Sequence, residues 1–249
     1  MDLKVLGSSS KGNCYLLDNG KEALMIECGV AFKEVQKAVD FNINRIAGCI
    51  ISHEHGDHAK QVKKCLESRI PVYGSQGTID ALISPTGDVP NLVCRMGELT
   101  IHKIGGFRVQ PFATQHDAAE PFGFLIYHPE CGIVLFATDT YYLQYTFDGL
   151  NNIMIECNYR QDILDANVEA GTIPAKLRAR TMKSHCSIDT CKEILEANDL
   201  SGVHNIVLIH LSDANANAVQ FQEEIQRQTL KTVTVASPGI IINFNKSPF

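Results

Sequence analysis

The sequence predicts an α/β (α+β) chain folded as an αββα sandwich, and three observations carry that prediction. Short apolar runs punctuated by glycine fill the first third, hairpin-linked runs fill the middle, and the last third mixes strands with helices as the first does. Two β-rich halves that each carry helices bury their sheets against one another and cover the outer faces with helix. No linker-like stretch divides the 249 residues, so residues 1–249 are read as one domain.

In chain order, strands are expected at 3–6, 14–17, 23–27 and 46–52, set off by Gly7, Gly12, Gly20 and Gly29. Helical periodicity marks 32–39 and 59–67, with a weaker signal over 76–83. Strands at 99–104, 107–113, 122–128 and 133–137 are linked by Gly105-Gly106 and by a turn at 129–132, the pattern of antiparallel hairpins. The remainder reads as strand 153–156, helices 161–170 and 188–197, strand 206–210, helix 215–229 and strands 232–236 and 240–244.

Composition narrows the setting. Hydrophobic content of 45% and charged content of 20% suit a globular chain with a sizeable core and exclude disorder. No charged leader with a following apolar run opens the chain, and no apolar stretch approaches membrane-spanning length, so a cytoplasmic protein without membrane contact is expected. Nine cysteines without a C-x-x-C pair argue for reduced thiols rather than a disulfide framework, zinc ribbon or redox motif. A formal charge of −6 gives no long-range attraction for nucleic acid, so a polyanion would need a local basic patch.

The run SHEHGDH at residues 52–58 holds three imidazoles and the carboxylate of Asp57 within six residues, with Glu54 between the first two histidines. If the strand before it continues through them, His53 and His55 point the same way and chelate one ion. Asp57 and His58 lie beyond Gly56, where the chain can turn and aim them at a second ion. The competing reading, surface histidines beside a helix-capping Asp57, explains less of the pattern. His116, Asp139 and His210 each follow an apolar strand, and residues at strand ends gather at one edge of a sheet. Five histidines and two aspartates supply donors that suit zinc, manganese or iron. His102, His128 and His204 lack such a setting and read as ordinary surface or core histidines.

The pattern His53, His55, Asp57, His58, His116, Asp139 and His210 resembles that of metallo-β-lactamase-fold hydrolases over nearly the whole chain. A narrower resemblance, to the YycJ/WalJ/VicX subfamily of DNA-processing nucleases, rests on VLGSSSKGNC at 5–14, HDAAEPFG at 116–123, ECN at 156–158, HCS at 185–187 and HLSDAN at 210–215. The resemblance implies two mixed β-sheets flanked by helices. It also implies that His53, His55 and His116 bind a first divalent ion, that Asp57, His58 and His210 bind a second, and that Asp139 bridges them. A hydroxide between the ions would be the nucleophile, with Asp57 orienting it, and an ion pair about 3.5–4 Å apart suits phosphodiester cleavage.

His185 follows Lys176, Arg178, Arg180 and Lys183, the only dense basic run in the chain, and resembles the histidine that nuclease relatives place over substrate. It is expected to protonate the leaving oxygen or bind the scissile phosphate, against the plainer reading of a solvated helix end. Arg180 and Lys183 are expected to contact substrate. Ser8, Ser9 and Asn13 belong to a loop that either cradles a phosphate or is an ordinary turn. Glu120 and Asn158 are substrate-side candidates on resemblance alone, and Cys157 and Cys186 read as buried cysteines. These residues point to a phosphodiesterase with exonuclease-like action on DNA. The alternatives are a small-molecule hydrolase of the same fold, cleaving a cyclic phosphodiester, thioester or lactam, and a non-catalytic module with structural metal. The open, two-ion ligand set argues against the last. Sequence leaves metal identity, cleavage polarity and oligomeric state undetermined.

Overall fold

The computed structural model describes residues 1–83 and 91–247. The first sheet begins as a meander of β1 (Asp2–Gly7), β2 (Cys14–Asp18) and β3 (Ala23–Ile26) and continues in parallel through β4 (Ile46–Ile50), β5 (Val72–Gly74) and β6 (Val93–Arg95). Parallel neighbours need crossovers, and these are α1 (Phe32–Ala38), α2 (Gly56–Ala59) with α3 (Val62–Glu67), and α4 (Gln76–Leu82). The second sheet has the same grammar. β7 (His102–Ile104), β8 (Phe107–Ala113), β9 (Phe122–His128) and β10 (Gly132–Ala137) are antiparallel; β11 (Leu150–Glu156), β12 (Asn205–Ile209) and β13 (Thr232–Val235) continue from β10 in parallel. Here α5 (Gln161–Glu169), α6 (Ala175–Ser184), α7 (Ile188–Ala197) and α8 (Ala218–Thr229) occupy the crossovers, and β14 (Ile241–Asn243) returns to pair with β1.

Burial explains the layering. Leu3, Val5, Leu17 and Ile26 of the first sheet meet Phe124, Phe136, Met154 and Ile209 of the second in one cluster between the sheets. A second cluster lies under α7 and α8, and a third lies under α1, α3 and α4. The αββα sandwich of two mixed sheets expected from sequence is the observed architecture. All nine cysteines are free; Cys28, Cys49 and Cys65 pack together in the third cluster as small apolar groups. Among the described residues no helix is long and apolar enough to cross a membrane.

Several expectations need correction. The strand read over 46–52 ends at Ile50 and does not run through His53 and His55. Its neighbour β3 stops where Glu27 adopts φ 63°, and Ser52 N–H donates instead to Glu27 Oε1 at 3.1 Å. The helix read over 59–67 is two short helices, because Gln61 N–H donates to Cys28 O at 3.0 Å and leaves the helical ladder. The strand read from 99 begins at His102, since Leu99 lies at φ 58°. β5 and β6, three residues each, are too short to show alternation, and the basic run at 176–183 lies on the unanticipated helix α6.

Phe136 stacks on Phe124 at 6.3 Å and meets the Tyr15 ring edge-on at 5.9 Å, linking the two sheets. Phe136→Ala is expected to lower stability by about 3–5 kcal/mol. Urea unfolding with an unchanged m-value and a lower midpoint would show it; an unchanged midpoint would contradict the packing role.

Candidate metal centre

Every sequence-predicted metal ligand lies just beyond the end of a strand, in the loop that follows it or, for Asp57 and His58, in the short helix α2 after that loop. His53, His55, Asp57 and His58 follow β4, His116 follows β8, Asp139 follows β10 and His210 follows β12. The face-to-face sheets bring these ends to one edge, where ligands gather at the carboxyl ends of parallel strands. Glu27, Asp139 and His210 hold left-handed backbone at φ 63°, 46° and 54°, a conformation that costs roughly 1–2 kcal/mol in a residue with a Cβ. At each position it turns the chain out of a β-strand into the site.

Two groups of donor atoms result. His53 Nε2 lies 3.0 Å from His55 Nδ1, which lies 3.2 Å from His116 Nε2. On the other side, Asp57 Oδ2 lies 3.3 Å from both His58 Nε2 and His210 Nε2. Asp139 stands between the groups. Its Oδ2 is 3.8 Å from His53 Nε2 and 3.5 Å from His116 Nε2, whereas its Oδ1 is 3.5 Å from His58 Nε2. Nitrogens sharing a tetrahedral zinc at about 2.0–2.1 Å stand roughly 3.3–3.4 Å apart, so this spacing fits a shared divalent ion in each group.

Several outer ring nitrogens face a polar partner, and a hydrogen bond there fixes an imidazole's orientation. His116 Nδ1 donates to Ser184 O at 2.7 Å, His53 Nδ1 meets Ser52 Oγ at 2.8 Å, and His58 Nδ1 faces Glu27 Oε2 at 3.6 Å. Glu156 serves two rings, accepting at Oε1 from His185 Nδ1 at 2.7 Å and from His210 Nδ1 at 3.2 Å. Its Oε2 accepts backbone N–H bonds from Thr140 and Cys186, both at 3.0 Å. Glu27 and Glu156 were missed as site residues from sequence. The signal was present: each closes an apolar strand run as Asp139 does.

Electrostatics at the centre are one-sided. Glu27, Asp139 and Glu156 are buried, Asp57 is half-buried, and among the described residues no lysine or arginine pairs with any of them. Burial works against a charged His58, yet Asp139, Glu27 and Asp57 outweigh it and hold its imidazole well above the ordinary range. Burial likewise opposes charge on His210, and the carboxylates of Asp139, Asp57 and Glu156 push it up to about 10. His53, where burial dominates and His58 adds repulsion, moves well below its ordinary value. The site draws in positive charge, as a divalent-cation site does.

A cavity of about 310 Å³ opens over His55, Asp57, His116, Asp139 and His210, with His185, Asn158 and Arg180 also in its wall. Asn158 Nδ2 donates to His210 O at 2.8 Å, so it positions that ligand as well as facing the cavity. Arg180 pairs with Asp117 at 2.9 Å and remains exposed. Other substrate candidates are placed elsewhere. Lys183 is exposed on α6 outside the cavity wall, one helical turn from Arg180. Glu120 Oε2 accepts from Gly77 N–H at 2.7 Å, where it caps the first turn of α4. Ser8 Oγ accepts from Tyr15 OH and His210 N–H, and Ser9 Oγ accepts from Lys11 N–H. Asn13, buried, donates to Ser9 O and Asp57 O. Ser8 and Asn13 thereby tie the loop at residues 8–13 to His210 and to Asp57.

Comparisons with known proteins bear on the fold that carries these residues. A family model described as "Beta-lactamase superfamily domain" matches residues 23–211. The chain is 26% identical over 226 residues to exodeoxyribonuclease YycJ of Bacillus anthracis, spanning 85% of this chain and 83% of that one. It is 25% identical over 225 residues to exodeoxyribonuclease WalJ of Streptococcus pneumoniae serotype 2, spanning 85% and 81%. Among solved structures, the metallo-beta-lactamase fold protein YhfI from Bacillus subtilis superposes with a TM-score of 0.73 at 16% identity, covering 97% of this chain and 98% of its own.

Gly29 supplies a further test of the ligand loop. A Cβ there would lie 1.7 Å from Asp57 O, so the backbone at 29 clamps the Asp57–His58 segment. Gly29→Ala is expected to destabilise the protein by about 1–3 kcal/mol and to weaken divalent-metal binding. Urea denaturation and titration calorimetry with Mn²⁺ would read both effects; wild-type values in both would contradict the clamp.

Proposed function

The chain belongs to the beta-lactamase superfamily, and from that premise we propose that it is a metal-dependent phosphodiesterase that degrades DNA as an exonuclease at a two-ion centre. The observation that carries this reading is the pair of three-donor groups on either side of Asp139. His53, His55 and His116 would hold one ion, Asp57, His58 and His210 the other, and Asp139 both. Zinc, manganese and iron all suit these donors. Two divalent ions there would supply a water of lowered pKa and offset charge gathering on the phosphoryl oxygens.

The chain's own groups complete the chemistry. Asp57, part of the cavity wall, orients the attacking water through its carboxylate. His185 has Nδ1 committed to Glu156, which leaves Nε2 as the position from which a proton passes to the departing oxygen. Glu156 thereby fixes the His185 ring and the His210 ring with one oxygen. Arg180, exposed beside the cavity, exchanges Asp117 for a substrate phosphate, since exposed ion pairs are weak. Similarity to two proteins named exodeoxyribonucleases supports DNA as the substrate. Nine free thiols suit action in a reducing compartment such as the cytoplasm.

Protein reconstituted separately with Mn²⁺ and Zn²⁺ is expected to shorten end-labelled DNA progressively from one end. Single- and double-stranded DNA, RNA and bis-p-nitrophenyl phosphate should be compared in parallel. Turnover of the small phosphodiester alone would overturn the nuclease reading and favour a small-molecule hydrolase. His185→Ala is expected to lower kcat on DNA by about a hundredfold or more with metal content unchanged. Full kcat in that variant would remove His185 from the reaction, and cleavage surviving Asp57→Ala would do the same for Asp57.

A further inference from the structure

The metal cavity is not the largest concavity at this edge. Beside it lies a groove of about 650 Å³, and the two share Leu211 and Ser212 in their linings, which makes them neighbours. None of the candidate metal ligands lines the groove. The divide between them is built from the loop at residues 8–12. Ser10 faces the metal cavity, while Ser8, Ser9, Lys11 and Gly12 face the groove. Lys11 Nζ reaches Asp213 Oδ2 at 2.6 Å, tying this loop to the one that follows His210.

Three features of the groove bear on what it holds. Its floor is apolar, made by Leu6, Val30, Val235 and Pro238. Its charged side chains are Lys11, Lys60 and Asp213, all exposed, so the balance is positive in a chain of net charge −6. The lysine and aspartate of the Lys11–Asp213 pair are 80% and 69% exposed, which makes the pair weak and lets a phosphate replace the carboxylate. The volume lies within the range of small-ligand sites. Helix α6, by contrast, contributes Leu177, Arg180 and Thr181 to the metal cavity and nothing to the groove. The metal centre therefore has the basic helix in one wall and the groove beyond another.

We propose that the groove holds the nucleotide adjoining the scissile phosphate of a nucleic-acid strand. Its apolar floor lies under base and sugar, and Lys11 and Lys60 engage the next phosphate. This rests on the phosphodiesterase reading above and adds the path of the strand, from α6 across the metal centre and over the Lys11–Asp213 tie.

The test uses three holoenzyme variants and two substrates. Ala31→Trp and Ala218→Trp place a large side chain at exposed positions in the groove wall, and Lys11→Glu reverses one of its cations without touching the interior. The tryptophan variants are expected to lose at least tenfold in kcat/KM on a single-stranded oligonucleotide while staying within twofold of wild type on bis-p-nitrophenyl phosphate. Lys11→Glu is expected to raise KM for the oligonucleotide and to flatten its dependence on salt. Wild-type oligonucleotide cleavage in all three overturns the groove and leaves the nuclease reading standing. Equal losses on both substrates also overturn it, because the groove would then be inseparable from the metal cavity. If the unmodified protein cleaves bis-p-nitrophenyl phosphate but no oligonucleotide, the nuclease reading falls and the groove assignment with it.

Discussion

Buried negative charge at the ligand-bearing edge, with no lysine or arginine partner among the described residues, is the constraint on which this structure turns. Glu27, Asp139 and Glu156 sit at the ends of strands that build the apolar core, and Asp57 joins them from helix α2 after β4. An isolated carboxylate in such surroundings costs several kcal/mol or more, so it persists only beside positive charge and hydrogen-bond donors. Here the donors are backbone N–H groups and the rings of His53, His58, His116, His185 and His210. Cations in the two donor groups, as proposed above, would balance that arrangement and tie folding at this edge to metal loading.

The sandwich geometry follows from the same need. Antiparallel meanders bring β3 and β10 to the middle of their sheets, and each sheet then runs parallel, so several carboxyl ends face one way. The left-handed backbone at Glu27, Asp139 and His210 turns three of those ends into the site at an energetic cost that the surrounding packing outweighs. Held outer nitrogens and the close approach of Gly29 to Asp57 then leave the ligands little freedom to drift. A preorganised site of this kind needs little rearrangement when substrate arrives.

Much of this was legible from residues alone, for identifiable reasons. The seven metal-ligand candidates stood out because histidines closely spaced or placed at strand ends are rare without a chemical role, and the structure brings all seven together. The two mixed sheets followed from apolar runs at strand length. What escaped was contact between distant segments. Nothing local distinguishes Glu120, which caps α4, from a residue beside the cavity, nor shows that Ser8 bonds to the His210 backbone and Asn13 to that of Asp57. Glu27 and Glu156 escaped because a carboxylate ending a strand looks like a solvated turn until its neighbours are known. The break at Gln61 was invisible for the same reason, since its hydrogen-bond partner, Cys28, lies 33 positions earlier in the chain.

The most direct test of the account is a crystal structure of the Mn²⁺- or Zn²⁺-loaded protein with anomalous diffraction at the metal's absorption edge. The account predicts two peaks, one within the His53, His55 and His116 group and one within the Asp57, His58 and His210 group, each beside Asp139. A single peak, or peaks away from Asp139, would contradict it.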